Sequence, residues 1–139
     1  MSDELRFVFD TNALISAALL SNSTSRQALK KAEQLGTVFL SKESLSEFAE
    51  VLLRSKFDKY LPLEDRLEFI NRVEARYASV EVSSEFADCR DESDNKFLNL
   101  AFDANAAYLI SGDEDLLVLH PFRNISILTP ANFLAKFNS

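Results

Sequence analysis

Four carboxylates stand where an apolar run ends or a helical pattern begins. Asp10 follows Phe7-Val8-Phe9, Glu47 lies in Ser44-Leu45-Ser46-Glu47-Phe48, Asp94 heads a pattern carried on by Phe97, Leu98 and Ala101, and Asp113 follows Tyr108-Leu109-Ile110-Ser111-Gly112. Oxygen donors with no His or Cys among them suit Mg²⁺ or Mn²⁺ rather than zinc. One or two such ions orient a phosphodiester, activate water and stabilise the attacking and leaving oxygens of an in-line displacement. Asp94 is the most informative of the four. Offsets of three, four and seven put it at the head of an apolar stripe, where an ionised group must be paired, hydrogen-bonded or metal-bound.

Each acid also has a local explanation. Asp94, with Asp91 and Ser93, can cap the helix and face its dipole. Asp10-Thr11-Asn12 is ordinary turn and cap chemistry, Glu47 completes a capping box with Ser44, and Asp113 sits in the turn-prone Ser111-Gly112-Asp113-Glu114-Asp115. What weighs against four separate explanations is convergence. In an open parallel sheet the residues just beyond the strand carboxyl ends share one crevice, and carboxylates gathered there repel one another unless cations offset the charge.

Other chemistries find little support. His120 and Cys89 are the only His and Cys, and they read as a loop or partly buried residue and a small buried hydrophobe, so no Ser-His-Asp or Cys-His arrangement is available. Gly36 and Gly112 are the only glycines, which excludes the glycine-rich phosphate loops. An aspartyl-phosphate mechanism at Asp10 calls for a second Asp two residues on, where Asn12 stands.

The elements that must position these acids follow from periodicity. The spacing predicts a strand over Phe7–Phe9, then a helix carrying Ala13, Leu14, Ala17 and Ala18. Thr24 with Gln27 forms a capping-box pattern opening a helix that Gly36 stops. A strand follows at Thr37–Leu40, and the Ser44/Glu47 box opens a helix with Glu47 in its first turn. Beyond Pro62 a helix runs from Leu63 to Tyr77, and Ser79–Val82 alternates like a strand. After the charged loop Arg90–Ser93, a helix spans about Asp94 to Asn105, with strands at Tyr108–Ser111 and Ile125–Leu128, the latter ending before Pro130. Strand and helix alternating throughout predict an α/β fold with a parallel sheet covered on both faces. Phe7, Phe9, Leu14, Phe39, Phe48, Leu52, Phe97, Leu98, Ala101, Leu109 and Ile127 are expected in the core.

At 139 residues and 47% hydrophobic, the chain has the length and apolar content of one domain spanning 1–139. The net charge of −7 opposes passive adhesion to nucleic acid, so such a partner must be held locally. Arg54, Lys56 and Lys59 cluster, and Lys96 and Arg54 are candidate phosphate contacts. The opening Met1-Ser2-Asp3-Glu4-Leu5-Arg6 lacks the basic lead-in and apolar stretch of an export signal, and the lone cysteine fits a reducing compartment. A soluble cytoplasmic protein is expected.

Order and spacing of the four acidic motifs resemble the PIN domains, in particular the branch of VapC-like toxin components of type II toxin-antitoxin systems. Phe7-Val8-Phe9-Asp10-Thr11-Asn12 resembles that family's opening strand and first acid, and Ser44-Leu45-Ser46-Glu47-Phe48 its second acidic site. Arg90 to Leu98 resembles the third, with Asp94 matching, and Ser111-Gly112-Asp113-Glu114-Asp115-Leu116 the fourth, with Asp113 matching and Ser111 as its hydroxyl neighbour. The resemblance covers essentially the whole chain. It implies a three-layer α/β/α fold around four or five parallel strands, and a metal-dependent endoribonuclease that hydrolyses single-stranded RNA with Mg²⁺ or Mn²⁺. It also implies a cognate antitoxin and a homodimer or higher homo-oligomer. Asp10, Glu47, Asp94 and Asp113 would then be catalytic and metal-binding, with Asn12, Ser111, Asp115 and Asp91 auxiliary. The competing reading is a non-catalytic PIN-like module that binds RNA or protein.

Overall fold

The structure, a computed structural model, describes residues 4–137. Strand β1 (Leu5–Phe9) is followed by helices α1 (Thr11–Leu19) and α2 (Thr24–Leu35), strand β2 (Gly36–Leu40), helices α3 (Lys42–Leu52) and α4 (Leu63–Arg76), and the short strand β3 (Ala78–Ser79). After a long extended segment come α5 (Asn95–Asp103), β4 (Tyr108–Ile110), α6 (Glu114–Leu117), β5 (Ser126–Leu128) and α7 (Pro130–Phe137). Among the described residues no helix is long and apolar enough to cross a membrane.

The five strands form one sheet in the order β3-β2-β1-β4-β5, and every pairing is parallel. Chain order runs outward from β1 to β3 on one side and returns to β4 and β5 on the other, so the switch point lies between β1 and β4. Side-chain alternation divides the core accordingly. Phe7, Phe9, Tyr108 and Ile110 pack against α1 to α4 and α7, while Val8, Leu109 and Ile127 pack against α5 and α6. These are the three layers expected from the sequence.

All but one of the expected core residues are buried. Phe39 is half-buried, because it is the residue of β2 that faces away from Val38 and Leu40, onto the face where the extended segment lies, under the guanidinium of Arg6.

Several boundaries differ from expectation for identifiable reasons. Ser23 rather than Thr24 caps α2, its hydroxyl accepting from Arg26 N–H at 3.1 Å. Helix α3 begins three residues earlier than the Ser44/Glu47 pattern implies, because Ser41 and Ser44 satisfy each other's backbone N–H groups reciprocally, both at 3.0 Å. Helix α5 ends by Ala104, with Asn105 in the left-handed region at φ 54°. Pro130 reads as a stop but is the first residue of α7, a position where its missing N–H costs nothing.

The strand expected over Ser79–Val82 closes after Ser79. Beyond Val80, whose N–H still reaches Leu40 O at 2.9 Å, the backbone finds partners on α5 instead of on the sheet. Asp103 accepts from the N–H groups of Ser83 and Ser84, Asn99 accepts from Phe86, and Asn95 accepts from Cys89. Spaced by four, these side chains form one row on the helix. The row lays the segment along α5 and delivers it to Asp91.

Gly36 is a position where a neighbouring backbone leaves no room for a side chain. It pairs with Leu5 in extended conformation, and a Cβ there would lie 1.9 Å from the Leu5 carbonyl oxygen and 2.7 Å from its carbon. Backbone atoms of a central strand cannot step aside as a side-chain end can. Gly36→Ala is therefore expected to destabilise the fold by about 3 kcal/mol, the upper range for overpacking, read as a lower urea midpoint with an unchanged slope.

Candidate functional site

At the carboxyl end of β1, Asp10 leaves the sheet and caps α1. Its backbone N–H still donates to Ile110 O across the switch point, Oδ1 accepts from Ala13 N–H at 2.8 Å, and Oδ2 accepts from the Ser111 hydroxyl. Only 4% of the residue is exposed. Burial is the largest influence on its acidity and raises its pKa to about 6. The Ser111 and Ala13 hydrogen bonds pull it down, and the charges of Asp113 and Glu47 push it up.

Ser111 is a joint between two acids. While its hydroxyl donates to Asp10, it accepts the Asp113 N–H at 2.9 Å, and Asp113 in turn caps α6 by accepting from Asp115 N–H at 2.9 Å. Asp94 enters from the other side, at the end of a short 3₁₀ turn (Glu92–Asp94) that leads into α5. It makes no capping bond, and its Oδ2 is buried without a hydrogen-bond partner. The simple helix-capping explanation for this acid therefore fails.

Asp91, Asp94 and Asp113 each offer an oxygen, and the three lie within 4.8 Å of one another. Burial, followed by a hydrogen bond shared with Asp113 and the charges of Asp113, Asp91 and Asp10, raises the Asp94 pKa to about 7. Two carboxylates can share a hydrogen bond only while one of them keeps a proton. Above that pH the orphaned oxygen needs a cation instead. Asp91 is exposed and held by Ser93, through its hydroxyl at 2.8 Å and its N–H at 3.0 Å. These bonds keep its carboxyl below the usual range.

Glu47 is placed differently from expectation. The earlier start of α3 puts it in the second helical turn, where both carboxylate oxygens are engaged. Oε1 accepts from the Thr11 hydroxyl, and Oε2 accepts from Lys96 Nζ at 2.9 Å. Lys96 Nζ also donates to the Ser93 carbonyl. Glu47 thus joins the cluster through its charge on Asp10 and not as a member of the closest trio.

The remaining sequence candidates divide. Ser111 and Asp91 are within the cluster, Asp115 is half-buried at its edge, and Asn12 is exposed on the first turn of α1. Arg54 is elsewhere. It lies seven residues past Glu47, beyond the end of α3, and pairs with Glu50 at 3.3 Å. Its carbonyl helps seat the fully buried Arg66, which also donates to Leu52 and Leu61 and pairs with Asp58. Cys89 is buried, and burial pushes its thiol pKa up. His120 accepts the Ile127 N–H in an exposed loop.

Sequence reasoning missed Thr11, whose hydroxyl sets Glu47, and the row Asn95, Asn99 and Asp103. A polar repeat of four on a helix looks like a solvated face, and only the unpaired backbone of residues 83–89 shows what it holds. The donor set suits a divalent cation: every ligand on offer is a carboxylate oxygen, one of them is buried and unsatisfied, and acids outnumber the single adjoining ammonium.

Comparison with known proteins follows the same pattern. A family model described as PIN domain matches residues 6–115. An uncharacterized protein of Methanocaldococcus jannaschii is 31% identical, the match covering 96% of this chain and 92% of that protein. Among solved structures, VapBC2 from Rickettsia felis, bound to a DNA fragment from its promoter, superposes with a TM-score of 0.57 at 15% identity. That match covers 88% of this chain and 97% of that one. A Pyrobaculum aerophilum protein superposes with a TM-score of 0.59 at 11% identity, over 97% and 91% of the two chains. Likenesses at these identities concern the fold.

The raised acidities carry a stability consequence. Asp10 and Asp94 have folded pKa values of about 6 and about 7 against an ordinary value of 3.8, so the folded chain binds protons more tightly than the unfolded one. Their contribution is fully present below the ordinary value and is lost as pH rises through 6 and then 7. The Tm of the cation-free protein is expected to fall between about pH 4 and pH 7 and to level off above. Asp94→Asn removes the upper part of that slope, and Mn²⁺ or Mg²⁺ at the alkaline end restores the lost stability. A flat profile in scanning calorimetry would show that the acids are not strained as described.

Proposed function

This chain belongs to the PIN-domain family, and on that premise we propose that it is a divalent-cation-dependent endoribonuclease acting on single-stranded RNA, the toxin of a toxin-antitoxin pair. The observation that carries the proposal is the buried, partnerless Oδ2 of Asp94 within reach of Asp113 at the carboxyl edge of the sheet. A carboxylate oxygen kept in that condition is costly unless a cation completes it.

Asp10, Glu47, Asp94 and Asp113 are proposed to hold one or two Mg²⁺ or Mn²⁺ ions, with Asp91 and Asp115 as auxiliary acids. When bound, such an ion supplies Lewis-acid activation of water and of the phosphodiester. The chain's own groups do the positioning. Ser111 fixes the rotamer of Asp10 by donating to Oδ2, and its acceptance of the Asp113 N–H keeps those two acids in register. Thr11 sets Glu47. Burial, with Asp113 beside it, keeps the Asp94 carboxyl protonated to about pH 7 in the cation-free protein. Asn12, exposed on the first turn of α1, is available to position substrate. Lys96 is the basic side chain in contact with the cluster and the leading phosphate contact, while Arg54 can serve only a distal part of a bound strand.

The likeness to VapBC2 supports an antitoxin as partner. Exposed Leu63 and Leu67 on α4, with Tyr60 just before it, offer apolar surface for that partner or for a second copy of the chain.

The test is cleavage of a mixed single-stranded RNA pool with Mn²⁺, with Mg²⁺ and with chelator. Wild type is expected to cut only with metal, and Asp94→Asn to lose at least about 100-fold in rate, the scale of deleting one charge-stabilising group. RNA binding by folded, metal-loaded wild type without any cutting would overturn the nuclease in favour of a binding module.

A further inference from the structure

Lys96 is the basic side chain of the described residues that pairs with an acid of the cluster, and its placement is specific. The ammonium sits between Glu47 Oε2 at 2.9 Å and the Ser93 carbonyl, with its side chain only 11% exposed and Phe97 beneath it, 5.4 Å from nitrogen to ring centroid. Glu47 itself keeps a third of its side chain exposed, yet has no free oxygen, since Thr11 takes Oε1. Ser93 is equally committed: its N–H and hydroxyl hold Asp91, and its carbonyl holds Lys96. The ammonium therefore bears on a second acid through the residue they share.

We propose that Lys96 is a built-in counter-ion that occupies Glu47 in the cation-free protein and must release it before Glu47 can serve a divalent cation. This makes Lys96 a positioning residue that sets metal affinity, and its released ammonium becomes the group that meets a substrate phosphate. The inference rests on the reading of the cluster as a metal site. A plain structural pin between α3 and α5 is the alternative, and the two predict opposite signs. Removing a pin loosens the acids and weakens metal binding, whereas removing a competing cation frees a donor oxygen and strengthens it. Partly buried pairs of this kind pay a desolvation cost that offsets much of their attraction, so exchange of one cation for another is not prohibitive.

Mn²⁺ binding measured without RNA, by electron paramagnetic resonance of the free ion, decides the matter. Lys96→Met is expected to bind Mn²⁺ on the order of tenfold tighter, the scale by which groups behind metal ligands alter affinity, and Lys96→Arg to return it toward wild type. Lys42 lines the same hollow as Lys96 and is the control for charge alone. Lys42→Met should change affinity by less than about twofold, because surface charges are screened. In a Glu47→Gln background the gain from Lys96→Met should vanish. With RNA present, Lys96→Met should raise KM more than it lowers kcat. Unchanged or weaker Mn²⁺ binding in folded Lys96→Met, or an equal gain in the Glu47→Gln background, would overturn the counter-ion role while leaving the metal site standing. Folded wild type that binds no Mn²⁺ would overturn the metal reading and this one with it.

Discussion

Like charges held close in a half-dry crevice repel, and much of this fold is arranged around that repulsion. A parallel sheet with its switch point between β1 and β4 sends Asp10 and Asp113 out of the same edge, and α5 brings Asp94 to meet them. The side chains of Asp10 and Asp113 are pinned by hydrogen bonds, Asp10 by its helix cap and Ser111 and Asp113 by its own cap on α6, and the backbone of Asp94 by the turn that opens α5. Burial first, and the neighbouring acids after it, show in the protons: Asp10 and Asp94 hold theirs to pH values at which exposed carboxylates are fully ionised. Such a site is poor for stability and well suited to take up a cation, the usual sense in which functional sites depart from the best packing.

Holding the acids together depends on hydroxyl and amide groups of modest size. Ser111 serves both Asp10 and Asp113. Thr11, the residue after Asp10, reaches Glu47, so the first acidic segment orients the second. Ser93 performs the same service for Asp91 and Lys96. Behind these contacts the row Asn95, Asn99 and Asp103 supplies the partners that residues 83–89 would otherwise lack, and it turns a segment with no strand to pair with into a fixed approach to Asp91. Polar groups on α5 thus do for this segment what a neighbouring strand does for β1.

The sheet and its layers were legible because each buried strand is a short apolar run followed by a polar stop, and Phe7-Val8-Phe9 followed by Asp10 is a pattern that few other local structures produce. That Asp10 and Asp113 leave the same edge was legible for the same reason, since both follow parallel strands. The details that escaped are those where local chemistry allows two answers. Ser41 and Ser44 compete with Ser44 and Glu47 for the same box, and the reciprocal serine pair, three residues earlier, wins. Pro130 serves as stop or as start equally well, and the docking of α7 on α2 and β5 settles it. Asp91 read as an accessory because nothing in its spacing distinguishes it from a capping residue, and only the 3₁₀ turn before α5 folds it back to within 4.8 Å of Asp94 and Asp113.

Charge also orders events at the site. With a net charge of −7 and acids crowded at the sheet edge, the cation-free protein presents a negative potential to a polyanion. On the proposed reading, RNA cannot approach the cluster productively until that potential is reduced, and neither of the candidate cations on the chain does this alone. Arg54 is distant and already paired with Glu50, while Lys96 is spent on Glu47. A divalent ion changes both conditions at once, because it neutralises the acids and competes with Lys96 for the carboxylate that holds it. On that reading metal loading would precede substrate as a consequence of electrostatics, and a preference for a phosphodiester over a neutral ligand would follow from the ammonium set free.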